Sequence, residues 1–262
     1  MFSFLHLGIV REILGEAWQA YRSCFWRLLV LSAFCNLPII ARGIFYPPFH
    51  LDASLNLELS SQCDFSVHFW TLAAVLFFPV FGGMMLKTLD EGRRQQLLPF
   101  GLRQLFPTNW QMVFRWIAVV LLTWVAIMLP FFIALAEAFL ESHFGIHRPF
   151  SAFLNIAEIV LLLFLTLWIF TRLALAFPAS VLEGWGPIRA LVRGFVLSSG
   201  NSWILFETFF AAYLFIDVLS VFLPWFVVVF SPGAYIWVAR AIAIVFQPLL
   251  IAVLYRAYMR LS

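Results

Sequence analysis

The chain reads as an all-α protein: a polytopic bundle of about six transmembrane helices, edged by amphipathic surface helices on the cytoplasmic side. Three observations predict that class. Hydrophobic residues make up 64% of the 262 residues and charged residues only 11%, against roughly a quarter charged in ordinary soluble domains. The apolar residues form runs long enough for a hydrocarbon core, which takes about 20 helical residues, and the basic residues gather at alternate loop ends. Helices are the expected spanning elements because each satisfies its own backbone hydrogen bonds in lipid.

Taken in order, the whole of 1–262 forms one membrane domain. Over 7–22, Ile9, Val10, Ile13, Leu14, Ala17 and Tyr21 share one helical face, with Arg11, Glu12, Glu16, Gln19 and Arg22 opposite. That helix is expected on the membrane surface. The first span is expected over about 25–44, anchored by Trp26 and Arg27 and containing Pro38. Tyr46 to Asp64, with Pro47-Pro48, His50, Asp52 and Glu58, reads as an irregular loop. The second span, about 65–86, carries Pro79 and a Gly82-Gly83 pair that permits close helix approach.

A short amphipathic piece at Leu98 to Phe106 then leads to the third span, about 112–135. Glu137, Glu141, His143 and His147 make a second polar loop. The fourth span, about 151–177, holds Glu158 and Arg172; the fifth, about 203–230, holds Glu207, Asp217 and Pro224. Ser231-Pro232-Gly233 is a tight turn before the sixth span, about 235–255, with Arg240, Gln247 and Pro248. Arg11 and Glu12 lie in a helical pattern without a small-residue cleavage site after a short apolar core, so the first span is expected to direct insertion itself.

Orientation follows lysine and arginine near span ends. With both termini cytoplasmic, that side takes Arg11, Arg22, Arg27, Lys87, Arg93, Arg94, Arg103, Arg115, Arg172, Arg189, Arg193, Arg256 and Arg260. The other side keeps Arg42 and Arg148, with Arg240 near its boundary. The net charge of +3 is therefore a topology signal, and nucleic acid is not an expected partner. Cys24, Cys35 and Cys63 are odd in number and lack CxxC spacing, which defines neither a disulfide framework nor a zinc site.

Three segments share one plan of arginine-bearing amphipathic helix, polar break, tryptophan and span. They are Glu16 to Arg22 leading to Trp26, Gly101-Leu102-Arg103 leading to Trp110, and Arg189 to Arg193 leading to Trp203. Arginines suit lipid phosphates and tryptophan suits the headgroup boundary. The run Arg172, Phe177-Pro178-Ala179, Val181-Leu182-Glu183-Gly184, Pro187, Ala190-Leu191, Arg193, Leu197 and Gly200-Asn201-Ser202-Trp203, with the Gly82 to Arg94 region, resembles a superfamily of bacterial six-span proteins. That superfamily includes the YciC-like proteins and the membrane domain of some glycerophosphodiester phosphodiesterases. The resemblance implies a bacterial inner-membrane envelope protein; the phosphodiesterase catalytic domain has no counterpart in this sequence.

Ionisable groups at the centre of a span cost about 2.5 to 3.5 kcal/mol on insertion scales and usually face the bundle interior. Glu158, Arg172, Glu207, Asp217 and Arg240 are such groups. Arg172 and Glu207 sit at similar depth on consecutive antiparallel spans, so an ion pair is expected, and Arg240 is placed to reach Asp217 or Glu158. Either these charges pair and fix helix register, or they line a polar pathway or a lipid-headgroup pocket. Glu183 precedes Pro187, a residue suited to the first helical turn, and its carboxylate is expected to cap that helix or receive Arg189. Arg189 and Arg193, one turn apart, suit anionic lipid phosphates.

His143, His147 and Glu141, with His50, His68 and Asp64 on the same side, fall short of a metal motif, and Phe144-Gly145-Ile146 weakens the helix their spacing needs. No GxSxG, nucleophile arrangement or phosphate-cradling glycine loop is present, and no cofactor is expected. The leading expectation is a non-catalytic inner-membrane protein acting in envelope or lipid homeostasis or as a membrane scaffold. Membrane lipids and another membrane protein are its expected partners. A transporter or channel component, and an intramembrane lipid-modifying enzyme, are the alternatives.

Overall fold

A computed structural model describes residues 3–45, 63–94, 109–144, 151–228 and 235–262. Every regular element among them is an α-helix: α1 (Ser3–Ser23), α2 (Phe25–Cys35), α3 (Leu37–Phe45), α4 (Cys63–Arg93), α5 (Trp110–Phe144), α6 (Ser151–Leu173), α7 (Ala176–Leu182), α8 (Pro187–Ser198), α9 (Ser202–Val228) and α10 (Tyr235–Leu261). Four stretches are long and apolar enough to cross a membrane: Trp110–Phe132, Val160–Leu182, Ser202–Ser220 and Arg240–Leu261. They coincide with the expected third to sixth spans, the architecture of a multi-pass membrane protein. The expected first span falls on α2 and α3, and the second inside α4.

Residues that seal the core gather at the end of the bundle where the two terminal helices meet. Leu28, Met85, Leu86, Leu89, Trp116, Leu175, Tyr255 and Tyr258 are all buried there. Close packing at this end uses the expected glycine pair. A Cβ on Gly83 would lie 2.5 Å from the ring of Trp116 on α5.

Four expectations change on the structure. The helix over 7–22 does not leave its apolar face for lipid: Val10, Ile13, Ala17, Ala20 and Tyr21 are buried, with α1 packed chiefly on α10. Glu12 and Glu16 tie it there, with Arg260 Nη2 at 2.5 Å and Arg256 Nη1 at 3.7 Å. The first span is interrupted at Asn36, two residues before Pro38, whose missing N–H leaves the carbonyl four residues back without its helical donor. Main-chain bonds still run from Asn36 N to the Ser32 carbonyl (3.0 Å) and from Ile40 N to the Asn36 carbonyl (2.9 Å), and Asn36 Nδ2 donates to the Ser32 carbonyl (2.8 Å) and to Gln247 Oε1 of α10 (2.5 Å), which ties the interruption to the last helix.

The fourth span likewise breaks after Leu173, and its continuation is the separate helix α7, placing Pro178 in a first turn where no intrahelical bond is lost. Finally, α5 runs to Phe144, so the backbone of Glu137, Glu141 and His143 is helical rather than loop. His50 and His147, the 98–106 piece and the 231–233 turn lie outside the described residues.

Candidate functional site

Six consecutive residues of α7, Ala176 to Val181, are buried, so this seven-residue helix is a plug between α4, α5, α8 and α10. The site is built at its C-terminal end. Glu183 caps α7, its N–H reaching the Ala179 carbonyl at 3.1 Å. Gly184 then adopts φ +74°, a left-handed conformation that costs a residue with a Cβ about 1 to 2 kcal/mol. The chain turns back, and Ser180 Oγ donates to the Trp185 carbonyl at 3.1 Å. Pro187 opens α8 at its first position, as expected from its missing N–H.

The Glu183 carboxylate joins three elements. It accepts hydrogen bonds from the Tyr258 hydroxyl of α10, from Trp185 Nε1, and from Arg193 Nη2 of α8 at 3.4 Å. Burial alone pushes this carboxyl up, but bonds from Tyr258, Trp185 and Arg193, with the arginine's charge, outweigh it and hold the group below the ordinary glutamate value. Glu183 therefore pairs with Arg193, and the expected alternative, Arg189, instead lies 6.0 Å over the Trp185 ring.

Beside this knot is an open depression of about 580 Å³, lined by Arg115, Arg189, Glu183 and residues 184–188. Arg115 of α5 donates to the Gly184 carbonyl at 3.5 Å. Two guanidinium groups and the positive end of α8 face this hollow together with the Glu183 carboxylate, whose oxygens are already taken by Tyr258, Trp185 and Arg193, so the free charge there is cationic and favours an anion.

The orientation of α8 is the second feature. Its inward residues are small or polar, Ala190, Gly194 and Ser198, with Leu197. A Cβ on Gly194 would stand 2.6 Å from the Ala176 backbone nitrogen, so α8 rests directly on the α7 main chain. Its large apolar residues point away from the protein: Ile188 is 73% exposed, Val192 58% and Val196 56%. At 100° per residue, these three and Phe195 form one sector, with Arg189 and Arg193 in the next. An amphipathic helix with a bare apolar sector bordered by arginines has the surface of a helix lying in a membrane interface.

The other expected residues are dispersed. Arg172 and Glu207 form no ion pair. Where α6 meets α9, the contact is Phe170 on Phe209, with ring centroids 5.9 Å apart. Two positions along a helix turn a side chain by about 200°, so Arg172 and Glu207 both face away from that contact. Arg172 lies between the rings of Trp168 (5.2 Å) and Phe195 (5.1 Å), and Glu207 Oε2 is buried without a hydrogen-bond partner. Arg240 sits 5.2 Å over Trp237. Asp217 and Glu158 lie on α9 and α6; their side chains are outside the described set. Among the described residues, no group of three His, Cys, Asp or Glu side chains could hold a metal ion.

Sequence reasoning did not single out Arg115, Trp185 or Tyr258 for the site. Arg115 stood out only as one of many cytoplasmic-side cations, and Tyr258 lies past the expected end of the last span. No family model, curated protein or solved structure matches the chain.

Proposed function

We propose that this is a non-catalytic protein of the bacterial cytoplasmic membrane, with six spans and both termini cytoplasmic, acting in envelope or lipid homeostasis or as a scaffold for another membrane protein. In this reading α8 lies in the cytoplasmic interface, its Ile188–Val192–Val196 sector in lipid. Arg115 and Arg189 offer the adjoining depression to an anionic lipid phosphate. The observation that carries the reading is the orientation of α8, small residues inward and large apolar residues outward. An exposed apolar sector of that kind costs free energy in water and is relieved by lipid contact. The resemblance to six-span envelope proteins and the one-sided distribution of arginine point the same way.

The test is lipid analysis of the gently purified protein. Wild type is expected to retain phosphatidylglycerol, and the Arg115→Gln/Arg189→Gln variant to retain markedly less while remaining folded. Equal retention by both would remove the depression as a lipid site.

A second reading, transport, draws on one observation. The break at Asn36 lies beside a polar group made of the buried Ser32 and Cys35 and the half-buried Gln247, and broken spans with polar contacts near mid-membrane are a feature of transporters. Substrate-dependent flux through proteoliposomes, abolished by Gln247→Leu, would favour it over the first.

A further inference from the structure

Arg172 is unlike the other arginines of the chain's inner end. Its Nε and Nη1 are buried without a hydrogen-bond acceptor, and among the described residues no group accepts from Nη2, the one guanidinium nitrogen outside the buried set. Its own carbonyl, freed where α6 breaks, is taken by the Ser198 hydroxyl at 3.0 Å. That bond fastens α8 alongside α6, and Phe195 closes over the guanidinium from the α8 side while Trp168 backs it from one turn earlier on α6. Both rings are themselves exposed on the outer surface. The result is a cation held between two aromatic rings, with its donor edge unmatched, in the groove between a candidate span and the outward apolar sector of α8.

Aromatic faces attract a guanidinium but accept none of its in-plane hydrogen bonds. The matching acceptor is a planar or tetrahedral oxyanion, for which the arginine fork is built. We infer that Arg172 holds a phosphate oxygen in the groove between α6 and α8, supplied by a phospholipid headgroup or by free phosphate. This site is separate from the depression at Arg115 and Arg189. It lies on the opposite side of α8 from Arg193, and a lipid seated in it would run its chains along the exposed Phe164, Leu165 and Val196. It rests on the membrane reading only for the lipid source of the phosphate.

The experiment is native mass spectrometry and thermal unfolding of the full chain in detergent. Phosphatidylglycerol, diacylglycerol with the same chains, and inorganic phosphate are the three probes. Wild type is expected to bind phosphatidylglycerol and to be stabilised by it more than by diacylglycerol. Arg172→Gln is expected to weaken that binding about tenfold, the loss of one charge-assisted contact, while Arg115→Gln/Arg189→Gln leaves the Arg172-dependent component in place. Stabilisation by inorganic phosphate to the same extent, again lost in Arg172→Gln, would assign the anion to a soluble source. Unchanged phosphatidylglycerol binding in a folded Arg172→Gln protein would overturn the site. So would equal stabilisation of wild type by phosphatidylglycerol and diacylglycerol, a result that needs no variant to fold.

Discussion

Helices α1 and α8 share a pattern, apolar residues at helical spacing and arginines to one side, yet they face opposite ways. In α1 the residues turned inward are large as well as small, Val10, Ile13 and Tyr21 among Ala17 and Ala20, and they fill the space against α10. In α8 the inward residues are mostly small, Ala190, Gly194 and Ser198 with a single leucine, Leu197, and most of the bulk lies outside. Amphipathicity therefore shows that a helix lies at a boundary, while the distribution of residue size around it shows which side is protein. Charge adds to the contrast. The acidic residues of α1 meet Arg256 and Arg260 of α10, whereas α8 carries only arginines, one spent on Glu183 and one facing the depression.

The largest effects should come from truncating the apolar faces. Ile13→Ala on α1 is expected to lower unfolding free energy in detergent by about 2 to 5 kcal/mol, the range for a buried large-to-small change. Val192→Ala on α8 should leave stability nearly unchanged, because its side chain is exposed. Equal losses at the two sites would erase the distinction. Next in size are two glycines. Gly194→Ala drives a methyl group into the α7 backbone and should cost about 1 to 3 kcal/mol, whereas Gly15→Ala on α1, which meets nothing within 4 Å, should gain up to about 1 kcal/mol from helix propensity.

A smaller effect is expected at the knot that seats α8. The lowered Glu183 pKa makes its stabilising contribution full above the ordinary glutamate value of about 4.3, and that contribution is lost as pH falls through the lowered value. Glu183→Gln should cost about 1 to 2 kcal/mol at neutral pH, and thermal melts should show a flatter acid limb than wild type. An unaltered acid limb would detach Glu183 from the packing of α8. The smallest effect belongs to α1: a double-mutant cycle on the exposed Glu12 and Arg260 should return about 0.2 to 1 kcal/mol of coupling, fading with added salt.

Much of the helical plan was legible in the chain. Hydropathy placed the four apolar stretches that the fold bears out, and Pro187 marked the start of α8. What hydropathy averages over is where the reading fell short. It merged α6 with α7, and α2 with α3, because the residues flanking each break are as apolar as the spans themselves. The ion pair of Arg172 with Glu207 was argued from depth alone, and depth ignores rotation: Phe170 and Phe209 occupy the contact that the charges would need. The Glu183 region was recognisable from its glycines and proline. Its partners were not, since Tyr258 and Arg115 come to it from distant helices, 75 and 68 positions away along the chain.

The most direct test is to place a spin label in turn at Val192, Arg189 and Ile13, in a background with Cys24, Cys35 and Cys63 replaced, and to reconstitute each protein in anionic vesicles. The account predicts that the Val192 label relaxes with oxygen dissolved in the bilayer and is shielded from an aqueous nickel chelate. The Arg189 label should show the reverse, and the Ile13 label should be shielded from both. A Val192 label open to the nickel chelate and insensitive to lipid-borne oxygen would contradict it, placing the outward face of α8 in water or against another protein.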